Sequence, residues 1–344
     1  MKSHRRAAVQ LIAGVGMFHL LAIMTATRPY SQSNGSNHTV TQADMDRWKK
    51  ELSNWGRWGK DDQKGTVNLI TPAKRKQAAE LVKEGFTVSL ARDAETEKAI
   101  DVAQPYEDVM LSDGAGRPSA ADKITVAMHG QAHTHLDSLG HHFVNDLMYN
   151  GYPRAENVSM KTGVAKNAII NYKSGIVTRG ILMDIPKLKG VPYLEPGTPI
   201  YVEDLEAWEK KAGVKVSAGD ALFIYTGRWV RRAKLGPWST EQMAGLDASV
   251  IPWIKKRDVA VMASESALSV TPIPPSTVVT SKDDYSPVHN FVLYALGMAV
   301  LDACDLTELS KAAAERNRWE FMVTLAPIPM PHGTGSPVNP TAIF

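Results

Sequence analysis

The sequence predicts a mixed α/β fold. Short apolar runs of strand length recur from Phe86 to Met330. Capped segments of helix length alternate with them. The composition, 44% hydrophobic and 22% charged over 344 residues, is globular and can bury a large core. Mixing both element types throughout one chain is the pattern of an α/β or α+β domain.

The elements read in order as follows. Thr41 to Trp55 is a helix, with Thr41 as N-cap and Asp44 as its acidic partner three residues on. GRWGKDDQKGTVNLI is a loop ending in a short strand. Thr71-Pro72 opens a second helix that stops at Gly85. Phe86 to Ala91 alternates as a strand does, and Arg92 to Ala121 is polar and reads as a long loop. Ile124 to Met128 is strand-like, as are Gly180 to Ile185, Asp220 to Gly227, Val259 to Ser264 and Phe321 to Met330. An arginine-rich loop follows Gly227. Val202 to Gly213, Ala248 to Lys256 and Thr307 to Arg316 read as helices, and Pro287 to Ala303 is apolar and of helical length. No linker interrupts the chain after residue 40, which predicts one domain over residues 41–344.

The N-terminus differs in kind. MKSHRR is basic, AAVQLIAGVGMFHLLAIMTA is apolar, and a small, polar stretch follows. That is the three-part pattern of an export signal over residues 1–30, with a polar linker over 31–40. The expected location is periplasmic or secreted, by a twin-arginine route if the Arg5-Arg6 pair is used. An uncleaved run would instead be a membrane anchor. Without Lys2, Arg5 and Arg6 the formal charge falls from +3 to about 0. No basic stripe argues for nucleic acid. Cys304 is the single cysteine, so neither an internal disulfide nor a cysteine-based zinc site is available.

AMHGQAHTHLDSLGHHF, residues 127–143, holds five of the ten histidines. If Ile124–Met128 continues as extended chain, residues two apart share one face. His129, Gln131, His133, His135 and Asp137 then point the same way. Imidazole and carboxylate on one face suit Zn²⁺ or Mn²⁺, one or two per chain. A solvated polar strand and a pH-sensitive cluster are the competing readings, and the in-phase Asp137 speaks against both. His141 is the candidate general base and acid, its imidazole suited to proton traffic near neutrality. Trp55, Trp58 and Tyr149 are candidates for lining a pocket for a small-molecule substrate, aromatic ones included. Ser138 lacks a nucleophile elbow, and GTGSP near residue 333 lacks the lysine and context of a phosphate loop.

THLDSLGH resembles the core of the metal-dependent cyclase-like hydrolases, which include bacterial kynurenine formamidases and isatin hydrolases. Thr134, His135, Asp137 and His141 match their His-x-Gly-Thr-His-x-Asp-x-Pro-x-His signature in spacing. WGRWGKDDQKGTVNLI, RGILMDI, AGDALFIYTGR, SPVHNFVLYALGMAVLDACDLTELS and EFMVTLAPIPMPHGTGSPVNPTAIF resemble blocks of the longer members, so the likeness spans residues 53–344. The signature's first histidine falls on Gln131, its glycine on His133 and its proline on Leu139. His129 and His133 compete to cover for Gln131. The resemblance implies two further metal ligands, His289 and Asp302. A regular helix would leave them about 140° apart, so His289 must precede the helix or the helix must bend. Glu265 and Val270 fall where the family has Asp and Glu. The resemblance also implies a central barrel-like sheet with surrounding helices and a homodimer or homotetramer. The activity it implies is hydrolysis by metal-activated water of a cyclic or formyl amide, or of a lactone. A cyclase or dehydratase, or a non-catalytic exported metal-binding protein, is the alternative.

Overall fold

The computed structural model describes residues 38–344. The expected signal lies outside the described residues. Of the expected linker, residues 38–40 are packed rather than free. His38 stacks on Tyr201 with ring centroids 3.7 Å apart, and Val40–Thr41 pairs with Thr277–Val278.

Nine strands form one sheet: β1 (Thr87–Ser89), β2 (His135–Asp137), β3 (Ile176–Asp184), β4 (Ala221–Tyr225), β5 (Val261–Ser264), β6 (Ala299–Asp302), β7 (Glu320–Leu325), β8 (Gly335–Pro337) and β9 (Thr341–Ile343). Their order across the sheet is β8-β2-β6-β5-β4-β3-β7-β9-β1. The four central strands, β6, β5, β4 and β3, run parallel. Every residue of β4, β5 and β6 is buried, as expected for parallel strands covered on both faces. The flanking strands pair antiparallel.

Chain connectivity forces this sheet to curl. β8 and β9 stand seven places apart, about 34 Å if the sheet were flat at 4.8 Å per strand. Residues 338–340 alone connect them, a reach of about 14 Å. The sheet therefore rolls into a half-barrel, and its far side touches its near side. Ala91 bridges Cys304, and Leu90 N–H donates to Pro340 O. Helices surround the sheet, among them Val202–Ala212 and Thr307–Arg316.

Local chemistry set several elements as predicted. Thr41 and Asp44 form a reciprocal capping box on the helix Gln42–Glu51, and Thr71 caps Pro72–Ala79. Both helices end earlier than the sequence implied. The strand expected before Thr71 is a 3-10 turn, Gly65–Leu69. The expected loop Arg92–Ala121 contains half of a hairpin, Glu107–Ser112 paired with Ala121–Thr125. The arginine-rich segment is a helix, Arg228–Leu235, bracketed by Gly227 and Gly236. Pro287–Ala303 is not one helix. Pro287–Phe291 is helical, Val292–Leu296 widens to a π turn, Gly297 turns left-handed at φ 62°, and β6 follows.

Candidate metal centre

β2 and β6 pair antiparallel with His135 opposite Asp302 and Asp137 opposite Val300. Because side chains alternate along a strand, His135, Asp137 and Asp302 share one face. Leu136 and Leu301 point into the core behind them and are fully buried. The β6 strand removes the helical objection to pairing His289 with Asp302. His289 sits on the short helix Pro287–Phe291 and its Nε2 lies 3.2 Å from both Asp137 Oδ2 and Asp302 Oδ2. Ser269 Oγ holds the start of that helix, accepting the N–H of Val288 at 3.1 Å and of His289 at 3.3 Å.

The alternation expected from Ile124 to Asp137 breaks. The strand ends at Thr125, and Gly130 turns the chain at φ 129°. His129 therefore folds back onto β2, its Nδ1 2.9 Å from Asp137 Oδ1. Its ring stacks on His141 with centroids 3.9 Å apart. His133 turns away, its ring nitrogen Nε2 3.0 Å from Gln104 O. Gln131 lines the pocket but binds no carboxylate; its Nε2 donates to Thr240 O at 3.4 Å. His141 Nε2 lies 3.7 Å from Asp137 Oδ2.

His129 depends on residues that sequence reasoning discounted. Its Nε2 is 2.8 Å from Thr334 Oγ1, and a Cβ on Gly335 would meet His129 Cε1 at 2.9 Å. The GTG of the tail thus holds His129 by one hydroxyl and one missing side chain. The signal was a glycine between two small residues, read against the wrong motif.

The cluster has the features of a cation site. Asp302 Oδ1 is buried without a hydrogen-bond partner, while Asp137 Oδ1 and His129 Nδ1, also buried, face each other at 2.9 Å without forming a hydrogen bond. Such atoms are costly unless a ligand satisfies them. Donor atoms fall into two groups sharing Asp137, namely His129, Asp137 and His141, and His135, Asp137 and Asp302, each within 4.8 Å. His135 Nδ1 lies 2.8 Å from His133 O, which leaves Nε2 facing Asp137. Fixing one ring nitrogen so that the other faces a metal is the usual outer-shell arrangement.

The carboxylates dominate the electrostatics of the histidines closest to them. Burial pulls His135 down, but the carboxylates of Asp137 and Asp302 override it and set its pKa at about 9. The same opposition, burial against two carboxylates, leaves His289 well above its ordinary value. Burial raises Asp137, yet the surrounding histidines hold it well below the usual carboxylate range. His141 goes the other way. Burial, together with neighbouring histidines, outweighs Asp137 and lowers it to about 4.

A pocket of about 330 Å³ opens over this cluster, lined also by Gln131, Thr240, Glu241, Thr271 and Tyr285. Its aromatic wall is Tyr285, and none of the three expected aromatics lines it. Trp55 donates its Nε1–H to Tyr294 O and faces a separate cavity with Lys49 and Lys50. Tyr149 is fully buried and donates to Asp62 at 3.0 Å. Trp58 stacks under Arg57. Ser138 donates to Thr334 O and Cys304 is fully buried, so neither is poised as a nucleophile.

Residues 89–268 match the sequence profile of a family described as "Putative cyclase". A crystal structure described as that of a novel cyclase is 32% identical and covers 86% of this chain and 99% of its own, with a TM-score of 0.75. The chain belongs to this cyclase family. Two isatin hydrolase structures share the cyclase fold at lower identity. One, bound to the product analogue thioisatinate, is 16% identical over 80% of this chain and 97% of its own, with a TM-score of 0.51. The other, isatin hydrolase A from Labrenzia aggregata bound to benzyl benzoate, is 15% identical over 77% and 94%, with a TM-score of 0.53. No curated protein matches the chain.

Proposed function

We propose that this cyclase-family member is a metal-dependent hydrolase that opens a cyclic or formyl amide, or a lactone, with water. The observation that carries the reading is the convergence of His129, His135, Asp137, His289 and Asp302 around unpartnered buried oxygens at the floor of an open pocket. A sealed cluster would serve storage or structure; this one faces a cavity of ligand size. The nitrogen and oxygen donors suit Zn²⁺ or Mn²⁺, which His129 and Asp137, or His135, Asp137 and Asp302, would hold. Such a cation supplies Lewis acidity to a carbonyl and lowers the pKa of water towards ~7.

His141 borders the pocket and is fixed by the His129 stack and by Asp137. Its neutral imidazole accepts the proton of the attacking water at Nε2 and returns it to the leaving nitrogen or oxygen. Asp302 and Asp137 hold His289 between them, which keeps its ring aimed at the cluster. The test is metal analysis of the purified protein combined with a panel of lactams, formamides, lactones and esters. Bound metal with turnover supports the reading; bound metal with no turnover leaves a metal-binding protein.

The hairpin Glu107–Thr125 supports a second proposal, that the chain forms a homodimer. Val109, Met110, Leu111 and Ile124 are all more than half exposed on it. Glu107–Ser112 pairs on one edge only, and an exposed strand edge is self-complementary about a two-fold axis.

A further inference from the structure

The helix Gln42–Glu51 carries none of the candidate ligands, yet it grips the segment that leads to one of them. Gln42 uses both ends of its amide for this. Its Oε1 accepts the N–H of Thr280 at 2.8 Å and of Ser281 at 2.9 Å. Its Nε2 donates to Asp284 Oδ2 at 2.8 Å and to Asp46 Oδ1 at 3.0 Å. Lys49 Nζ reaches the same Asp284 oxygen at 2.7 Å, and Asp284 is buried. One residue earlier, Asp283 turns the grip inward. Its carbonyl oxygen accepts Asn290 Nδ2 at 2.7 Å, and its Oδ2 accepts the N–H of Asn145 at 2.9 Å. Asn290 is fully buried, and its bond to Asp283 fixes which end of the amide faces which way. Asn290 Oδ1 is left 3.3 Å from His289 Nδ1. An amide oxygen only accepts, so Nδ1 carries the proton, and Nε2 keeps its lone pair on the side of Asp137 and Asp302.

We propose that Asn290 and Gln42 are positioning residues of the metal centre. Asn290 holds His289 in the tautomer that offers a bare Nε2 to a cation. Gln42, with Lys49, holds the turn Lys282–Asp284 on which Asn290 is anchored. The proposal rests on the metal reading of the cluster and not on hydrolysis. Supports of this kind set the ring orientation of a histidine ligand, so their loss costs metal affinity while every ligand stays in the chain. Gln42 and Asp284 stand 242 residues apart, so the N-terminal helix acts on His289 only through the closed fold. Asp283 serves both sides of the pocket, since Asn145 follows His141 by four residues. Removing the Gln42 amide leaves Asp284 its ion pair with Lys49, so Gln42→Leu loosens the grip without stranding a buried charge.

The test loads purified wild type, Asn290→Ala, Gln42→Leu and Thr71→Ala with Zn²⁺, titrates each against a chromophoric chelator and records thermal unfolding. Thr71→Ala removes the cap of the helix Pro72–Ala79 and serves as the control for lost stability alone. Asn290→Ala should bind Zn²⁺ about 10–100-fold more weakly than wild type. Gln42→Leu, one step further out, should lose about 3–10-fold. Thr71→Ala should lose Tm and stay within about twofold of wild-type affinity. Nitrogen-15 spectra of the Zn²⁺-loaded wild type should show His289 protonated at Nδ1, a signature that a merely structural role does not set. Protonation at Nε2 overturns the proposal, because the cation would then sit at the other nitrogen. Wild-type affinity in Asn290→Ala overturns it too, as does a Gln42→Leu affinity no lower than that of Thr71→Ala. If Asn290→Ala misfolds, the spectrum and Gln42→Leu decide. Wild type that takes up no Zn²⁺ removes the metal reading and this inference with it. Zn²⁺ uptake with the expected losses but no turnover supports the positioning role and removes only the hydrolase reading.

Discussion

Replacing Gly335 with alanine should loosen the metal site without touching a ligand. The new Cβ would lie 2.9 Å from His129 Cε1 and 2.9 Å from Leu136 O. Carbon atoms pack best at about 3.5–4.0 Å, so the imidazole must retreat by about 0.6 Å or more. Leu136 O offers little relief, because β2 is hydrogen-bonded between β8 and β6. Metal sites hold their ligand distances to about ±0.2 Å, so the displacement matters. Misorienting a ligand through its support costs about 10–100-fold in metal affinity. The overpacking itself should cost about 1–3 kcal/mol. For a domain of this size that is a fall of roughly 2–5 °C in Tm. The assay is a competition titration against a chromophoric chelator, run beside thermal unfolding, on wild type, Gly335→Ala and His129→Ala. Both variants should bind metal more weakly, and His129→Ala should be the weaker. Wild-type affinity in His129→Ala would refute its place among the ligands. Wild-type affinity in Gly335→Ala alone would refute the argument that the tail positions it.

Other outcomes follow from the same geometry. His141→Ala should lower kcat by about 10²–10⁴ while metal analysis shows the cation largely retained; loss of both together would make His141 a ligand first. Stripping the metal with a chelator should lower Tm by several degrees, reversibly on reloading, since binding to the folded state alone adds about 2.7 kcal/mol at 100 times Kd. Glu265 is buried and its pKa is pushed up from 4.5 to about 7, burial outweighing its hydrogen bonds from Thr226 and Arg228. The folded state then holds that proton more tightly, so its contribution is full below pH 4.5 and lost as pH rises through about 7. Wild type should therefore lose Tm relative to Glu265→Gln between pH 5 and pH 8; a constant difference would refute the assignment. Met110→Lys with Leu111→Lys should shift sedimentation from dimer to monomer, and an unchanged profile would exclude the hairpin as the contact.

What the sequence disclosed was what short-range chemistry decides. The caps at Thr41 and Thr71 are hydrogen bonds within three residues, so they could be read directly. His135 and Asp137 are two residues apart on one strand, and their shared face needed only the strand period. The hairpin was not legible because both of its strands are exposed on both faces, so no burial alternation marks them. The segment 287–303 misled for the opposite reason. It is apolar throughout, and a buried helix and a buried strand cannot then be told apart by period. Gly297 was the usable signal, since a left-handed glycine is a common helix stop. The choice of His129 over His133 was beyond local reading. It depends on the turn at Gly130 and on Thr334, 205 residues away.

The order in which the chain is made adds one consequence. All the candidate ligands have been translated by Asp302, but the strand that braces His129 comes only at Gly335–Pro337. A nascent chain growing from its N-terminus can pair β3, β4, β5 and β6 and still present an unbraced His129. The strand that flanks β2 and the brace on His129 arrive in the same step, with only β9 still to be made.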